Sequence, residues 1–267
     1  MAHFADKVII VTGASEGIGR ALCLELAPQK PRLVIAARNA DRLNSLREEC
    51  EGLGAEVLVV PTDVTDKVQC KALVEKAVEH FGGIDVLVNN AGGTMWTLLE
   101  DVEDVELFER LIYLNYLSAV YCTYYAIHHI MQRKGLVVAL SSVAGMIGVP
   151  TRTGYSAAKH ALFGFFDSLR IEMRRHGVGV LVAAPDFVLS EIHRRALGSD
   201  GKALGKSPLQ EDKIMTSEEC ARLIVPAMER RERLLLTSSR GKLGRYLKVF
   251  APNFMDKLAE KAIAEKK

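Results

Sequence analysis

The stretch KVIIVTGASEGIGRALCLELA, residues 7–27, decides the fold. Its first six residues are apolar on both faces, as a strand buried in the middle of a parallel sheet must be. Thr12-Gly13-Ala14-Ser15-Glu16-Gly17-Ile18-Gly19 then turns the chain, and residues 17–27 carry a helical apolar pattern. A glycine turn between a strand and a helix suits a pyrophosphate. The glycines let the backbone come close, and the helix N-terminus offers free N–H groups and positive potential. Two better-known anion turns are excluded. A P-loop ends in Gly-Lys-Ser/Thr, whereas Ile18-Gly19-Arg20 stands here. The G-x-x-x-G-x-G spacing also departs from the G-x-G-x-x-G dinucleotide fingerprint.

Outward from this unit the same rhythm repeats. Residues 32–37, 55–61, 84–88, 135–140, 178–184 and 233–237 read as further strands. Helical patterns fall at 40–53, 67–81, 105–133, 156–176 and 217–230. Repeated strand–helix alternation predicts an α/β fold: one doubly wound, Rossmann-type domain with a seven-stranded parallel sheet and helices on both faces. The domain is expected over residues 1–239, followed by a basic helical tail at 240–267. Residues 186–216 interrupt the rhythm directly after a strand, at the sheet edge where ligands bind, and are read as a lid.

Composition sets the class. With 49% hydrophobic and 25% charged residues in 267, the chain matches a globular protein, and no apolar run is long enough for a membrane helix. Five widely spaced cysteines without a C-x-x-C fit reduced thiols in the cytoplasm, and the seven histidines form no metal pattern, so no metal is expected. The net charge of +2 gives no reason to expect nucleic acid. It comes from the tail, where eight Lys/Arg face three Asp/Glu, so residues 1–239 sum to −3.

The glycine spacing, this near the N-terminus, resembles the short-chain dehydrogenase/reductase family. Asn89-Asn90-Ala91-Gly92, Ser142 and Tyr155-x-x-x-Lys159 follow in the family's order, and Asn115 stands where it carries a catalytic asparagine. The match spans about residues 5–237. It implies hydride transfer between a nicotinamide cofactor and a carbonyl or alcohol, with Asn115, Ser142, Tyr155 and Lys159 as the catalytic set.

The residues just after the second strand bear on which nucleotide binds. An acidic side chain there accepts from the ribose 2′-hydroxyl, whereas an arginine pairs with a 2′-phosphate. The chain reads Ala36-Ala37-Arg38-Asn39, so NADP(H) is the expected cofactor, with the negative charge of Glu16 nearby opposing it. The resemblance adds cofactor contacts from Gly13, Ser15, Glu16, Gly17, Ile18 and Gly19 of the turn. It also adds Asp63 and Val64 at the adenine, Asn90, Ala91 and Gly92 beyond the fourth strand, and Tyr155 and Lys159 themselves. Pro185, Val188 and Ser190 align with nicotinamide contacts, although Asp186 stands where relatives have glycine.

Tyr155 and Lys159 lie four apart, on one helix face. An ammonium beside a phenol favours the phenolate and pulls its pKa below the usual value of about 10. Ser142, 13 residues before Tyr155, can hold the carbonyl oxygen within reach of the phenol, with Ser141 as its decoy. By resemblance, Asn115 holds a water that links Lys159 to solvent.

Thr94, Met95 and Trp96, residues 143–150 and residues 187–189 make an apolar substrate surround. The local sequence is similar to hydroxysteroid dehydrogenases, ketosphinganine reductases and related lipid-directed members, implying a lipophilic ketone or secondary alcohol. In the tail, Leu243, Tyr246, Leu247 and Phe250, then Phe254, Leu258 and Ala262, form apolar stripes. These are read as packing on the domain or on a partner subunit in preference to a membrane surface. Relatives form homodimers or homotetramers through the helices at 105–133 and 156–176. Two rival functions stand beside the enzyme: a catalytically idle NADP(H)-binding regulator on this fold, and an isomerase or dehydratase of the extended relatives.

Overall fold

Successive strand residues face opposite sides of a sheet, and here both sets are apolar. Ile9, Val11, Leu33 and Ile35 enter one core, whereas Val8, Ile10, Val34 and Ala36 enter the other. A computed structural model of the chain describes residues 3–207 and 214–264, with side chains up to residue 260. Its first half runs β1 (Val8–Thr12), α1 (Gly17–Leu26), β2 (Arg32–Ala37), α2 (Ala40–Gly52), β3 (Glu56–Pro61), α3 (Lys67–Phe81) and β4 (Val86–Asn89). Then come α4 (Glu106–Ile112), α5 (Ser118–Gln132), β5 (Leu136–Leu140), α6 (Thr153–Met173) and β6 (Gly179–Ala184). The chain ends in α7 (Ser217–Glu229), β7 (Leu234–Leu236), α8 (Ser239–Phe250) and α9 (Pro252–Ala264).

The seven strands pair in the order β3-β2-β1-β4-β5-β6-β7, all parallel. This is the expected doubly wound sheet. Leu22, Leu43 and Ile224, from α1, α2 and α7, fill one core; Leu73, Ala126 and Phe166, from α3, α5 and α6, fill the other. Strand order reverses between β1 and β4, and the crevice at their C-terminal ends is where such a sheet binds a ligand.

Two elements differ from expectation. The helix expected at 105–133 is broken by a five-residue π-helical turn, Tyr113–Leu117, between α4 and α5. Asn115 sits in it, and its Nδ2 donates to Leu111 O at 3.0 Å. A π turn inserts one residue and re-aims the side chains beside it. The helix expected at 156 starts at Thr153, which puts Tyr155 in the first turn of α6.

The segment after β6 is irregular, as expected. An isolated bridge from Leu197 to Met95 holds it to the body, and one from Val188 to Met215 joins its two ends; residues 208–213 of the expected lid lie outside the described residues. The tail packs on its own domain. Lys248 Nζ donates to Met146 O at 2.7 Å, and Gly241 and Gly244 bring α8 against Val143 and Ile147. The outer face of the tail carries Tyr246, Val249, Phe250 and Phe254 in solvent. Among the described residues no helix is long and apolar enough to cross a membrane.

Candidate active site

One cleft of about 1700 Å³ runs across the C-terminal edge of the sheet. The glycine turn forms one end. Gly13 has φ +65°, a left-handed conformation that suits glycine. A Cβ on Gly19 would lie 2.3 Å from Gly13 O and 2.4 Å from Asn90 Nδ2. The backbone is therefore already in contact there, and the turn stays open for a phosphate. Asn90 lines the cleft but fastens the turn, because its Nδ2 donates to Thr12 O at 2.9 Å and to Gly13 O at 3.1 Å. Thr12 Oγ1 accepts from the backbone N–H groups of Asn90 and Ala91. Gly19→Ala is expected to disrupt the turn by overpacking, worth about 1–3 kcal/mol, and to abolish binding of any dinucleotide whose pyrophosphate the turn would hold. Thermal unfolding and NADPH fluorescence titration check this; binding as tight as wild type would refute it.

The expected contacts Gly13, Ser15, Glu16, Gly17, Ile18, Arg38, Asn39, Asp63, Val64, Asn90, Ala91, Gly92, Pro185, Val188 and Ser190 all line the cleft. Gly19 does not, since its role is to let the turn close. Three arginines crowd the end beyond β2: Arg38, Arg42 and Arg195. Glu16, expected to oppose a phosphate, is already paired. Arg195 grips its carboxylate with two bonds of 2.6 and 2.7 Å, and Arg42 Nη1 binds the same carboxylate. Arg38 is exposed and has no ion-pair partner among the described residues. Arg42 and Arg195 carry no local sequence signal, since only the fold brings them to Glu16.

The other end holds Ser142, Tyr155 and Lys159. Ser142, just past β5, N-caps a short 3-10 turn, and its hydroxyl, which accepts from Ala144 N at 3.2 Å, lies close enough to the Tyr155 phenol to favour the phenolate. Lys159 Nζ donates to Leu140 O at 2.7 Å and lies 5.7 Å from the centre of the Tyr155 ring. Asn115 does not line the cleft. It is buried beneath it, where its Oδ1 accepts from Gly93 N at 3.2 Å. A Cβ on Gly92 would meet both Asn115 Oδ1 and Lys159 Nζ, so the two groups flank one glycine. The four catalytic candidates thus converge.

The electrostatics differ from expectation. Burial raises the Tyr155 pKa, and it outweighs the opposing charge of Arg152 and the hydrogen bond from Ser142. Lys159 is not the group that opposes it. Burial pushes the lysine itself down to about 7, so without cofactor its ammonium is only partly formed at neutral pH. The phenol consequently holds its proton throughout the neutral range.

The substrate end is apolar around Trp96, Val143, Ile147, Val149, Phe187 and Leu247. Met95 departs from expectation. It lies beneath the cleft in the cluster that packs Tyr155. Asp186 explains its departure from glycine. Its carboxylate accepts from Arg240 at 2.8 and 3.0 Å and from Ser238 at 2.8 Å, clasping the start of α8 to the end of β6. These bonds hold its carboxyl below the usual range despite burial, which acts the other way. Arg152, three residues before Tyr155, is the charged wall residue that sequence reading passed over.

The family model for short chain dehydrogenases matches residues 7–199. A Dictyostelium discoideum dehydrogenase/reductase SDR family protein 7-like is 33% identical over 266 residues, 97% of this chain and 83% of that one. The human dehydrogenase/reductase SDR family member 7 is 37% identical over 85% of this chain and 68% of its own. A Pinus massoniana 11-beta-hydroxysteroid dehydrogenase is 33% identical over 94% and 72%. Among solved structures, an alcohol dehydrogenase from the archaeon Thermococcus sibiricus, complexed with 5-hydroxy-NADP, superposes with TM-score 0.75 at 25% identity. The alignment covers 86% of this chain and 95% of that one. A Burkholderia phymatum short-chain dehydrogenase/reductase in complex with NAD shares the fold, with TM-score 0.82 at 24% identity over 95% and 96%.

Proposed function

The chain belongs to the short-chain dehydrogenase/reductase family, and on that premise we propose that it is an NADP(H)-dependent oxidoreductase acting on a carbonyl or secondary alcohol with a lipophilic body. The observation that carries the cofactor reading is that Arg38, Arg42 and Arg195 line the cleft beside Glu16, whose carboxylate pairs with the last two, and Asp63, so the cations outnumber the carboxylates. What remains is an excess of positive charge where an adenosine 2′-phosphate would sit. When bound, the nicotinamide supplies or takes the hydride.

The chain's own residues do the rest. Ser142 orients the substrate oxygen by hydrogen bonding. Tyr155, held protonated by burial, donates its proton to that oxygen in reduction and recovers it in oxidation. Lys159, tied to Leu140 O, keeps a titratable amine beside the phenol, and Asn115 sets the backbone at Gly93 against which the site is built. The apolar cleft walls and the hydroxysteroid dehydrogenases among the relatives support a lipophilic substrate. The turn-rich residues after β6, which supply Phe187 and Arg195 to the cleft, are proposed as its lid. Self-association through α5 and α6 is proposed on exposed Tyr124 and Ile171. Residence in the cytoplasm rests on five cysteines that are all buried and free.

Oxidation of NADPH and NADH against a panel of ketones and aldehydes tests the reading. Wild type should favour NADPH. Arg38→Ala should weaken NADPH about 10- to 100-fold, the worth of a charge-assisted bond of roughly 1.5–3 kcal/mol, and leave NADH nearly unchanged. A wild type with higher kcat/KM for NADH would overturn the cofactor assignment. Absence of turnover with every carbonyl would overturn the enzyme.

A further inference from the structure

Arg152 precedes α6 by one residue and is 5% exposed, although it belongs to the wall of the cleft. Its guanidinium is stacked among rings. The central carbon lies 4.4 Å from the Trp96 ring centre, 5.0 Å from Phe187 and 5.9 Å from Tyr155. Stacking satisfies the faces of the guanidinium and leaves its edge. On that edge Nε and Nη2 are buried without a hydrogen-bond partner. These two N–H groups lie side by side and parallel, the geometry that takes both oxygens of a carboxylate.

Among the described residues no carboxylate bonds to that edge. The nearest, Asp186, gives its oxygens to Arg240, Ser238 and the Phe187 backbone N–H. The other ionisable groups that the rings share are basic: Arg240 on the Phe187 ring at 5.6 Å, and Lys159 by the Tyr155 ring. A buried, unpaired cation is costly, and burial holds the Arg152 pKa below the ordinary guanidinium value. The glycine turn and the adenosine arginines, where a cofactor's phosphates belong, line the opposite end of the cleft. An anion at Arg152 would therefore arrive with the substrate.

We propose that Arg152 is a carboxylate receptor and that the substrate is an oxo acid, or the matching hydroxy acid, with an apolar body. The proposal rests on the oxidoreductase reading for its reacting group, and it narrows the lipophilic substrate to an amphiphilic one. The carboxylate takes the Nε–Nη2 edge, the body lies among Trp96, Phe187, Val149 and Leu247, and the carbonyl meets Tyr155 and Ser142. Both donors are shielded from bulk water, which strengthens a charge-assisted pair once formed.

Aryl alkyl ketones bearing a carboxylate one to four carbons from the carbonyl, each beside its N-methyl amide, test the proposal with NADPH. In wild type the best acid should exceed its amide about 10- to 100-fold in kcat/KM, the worth of hydrogen bonds to a charged group. Arg152→Gln should bring the pair near parity, because only the acid loses a charged partner, whatever change in rate the acid and the amide share. Arg152→Lys, which keeps charge without the fork, should fall between. Trp96 is the only tryptophan in the sequence and stacks on the guanidinium, so its fluorescence reads the site without turnover. Titration of wild type with 4-phenylbutanoate should give a saturable change that 4-phenylbutanamide and the Arg152→Gln protein lack. Equal responses to acid and amide in wild type, in turnover or in fluorescence, would overturn the receptor and leave the oxidoreductase standing. An acid-specific fluorescence change in a protein that reduces no carbonyl would do the reverse. The wild-type comparison decides even if the variants fail to fold.

Discussion

Tyr155→Phe is expected to lower kcat about 100- to 10,000-fold, the range for loss of a general acid, while NADPH binding stays near wild type. The ring is what the fold uses: it packs with Met95, Leu107, Leu111 and Ala144, and phenylalanine preserves that packing. The hydroxyl is what the chemistry uses. Since burial raises the phenol's pKa, the proton to be donated is present at every pH near neutrality. The pH dependence of wild-type reduction in that range is therefore assigned to Lys159, whose pKa is about 7, and the rate should fall as pH rises through it. Steady-state kinetics beside a fluorescence titration with NADPH separate the two roles. A loss of less than tenfold in kcat would remove Tyr155 from the mechanism.

Lys159→Met should stop turnover and make the cofactor-free protein more stable. The amine titrates at 10.5 in an ordinary setting and at about 7 in the folded chain. The unfolded chain thus binds the proton more tightly, and folding is opposed in full below pH 7. That opposition fades as pH rises toward 10.5, so wild-type stability increases across this window. Methionine removes the burial of a charge. At 1.36 kcal/mol per pKa unit, the fall from 10.5 to about 7 sets an upper bound on the order of 4–5 kcal/mol. Loss of the 2.7 Å bond to Leu140 O takes back part of it. A net gain of roughly 1–3 kcal/mol at pH 7, several degrees in Tm, is expected, with a flatter stability profile between pH 7 and 10. Calorimetry at pH 7 and 9 reads both. An unchanged or lower Tm at pH 7 would mean that the bond to Leu140 outweighs the burial.

The fold was legible because its signal is local. Each strand carries an apolar run of at least three residues, and the two-sided burial of the central strands leaves that trace in any parallel sheet. All seven strands lie where the runs place them, within two residues at either end. The residues proposed as catalytic were picked out by spacing along the chain, Tyr155 to Lys159 above all, and Ser142, Tyr155 and Lys159 line one cleft. The π turn at Asn115 was not: the residues of 105–133 read as one continuous helix, and the bond from Gly93 N to the Asn115 carboxamide comes from outside any helical window. The pairing of Glu16 with Arg195 joins residues 179 apart, and no window along the chain contains both. The direction of the Tyr155 shift was misread for a related reason. Sequence places a lysine beside the phenol but does not report that both are buried, and burial acts on each before they act on one another.

The Asp186–Arg240 clasp makes the carboxyl-terminal tail part of the active-site wall. The match to the family model ends at residue 199, yet Arg240, Leu243, Gly244, Leu247, Met255 and Leu258 line the substrate end of the cleft. The wall that receives a substrate is thus assembled from both sides of that boundary, Trp96, Val149 and Phe187 from within the matched region and α8 and α9 from beyond it, so a change in the tail can alter what fits without touching Ser142, Tyr155 or Lys159.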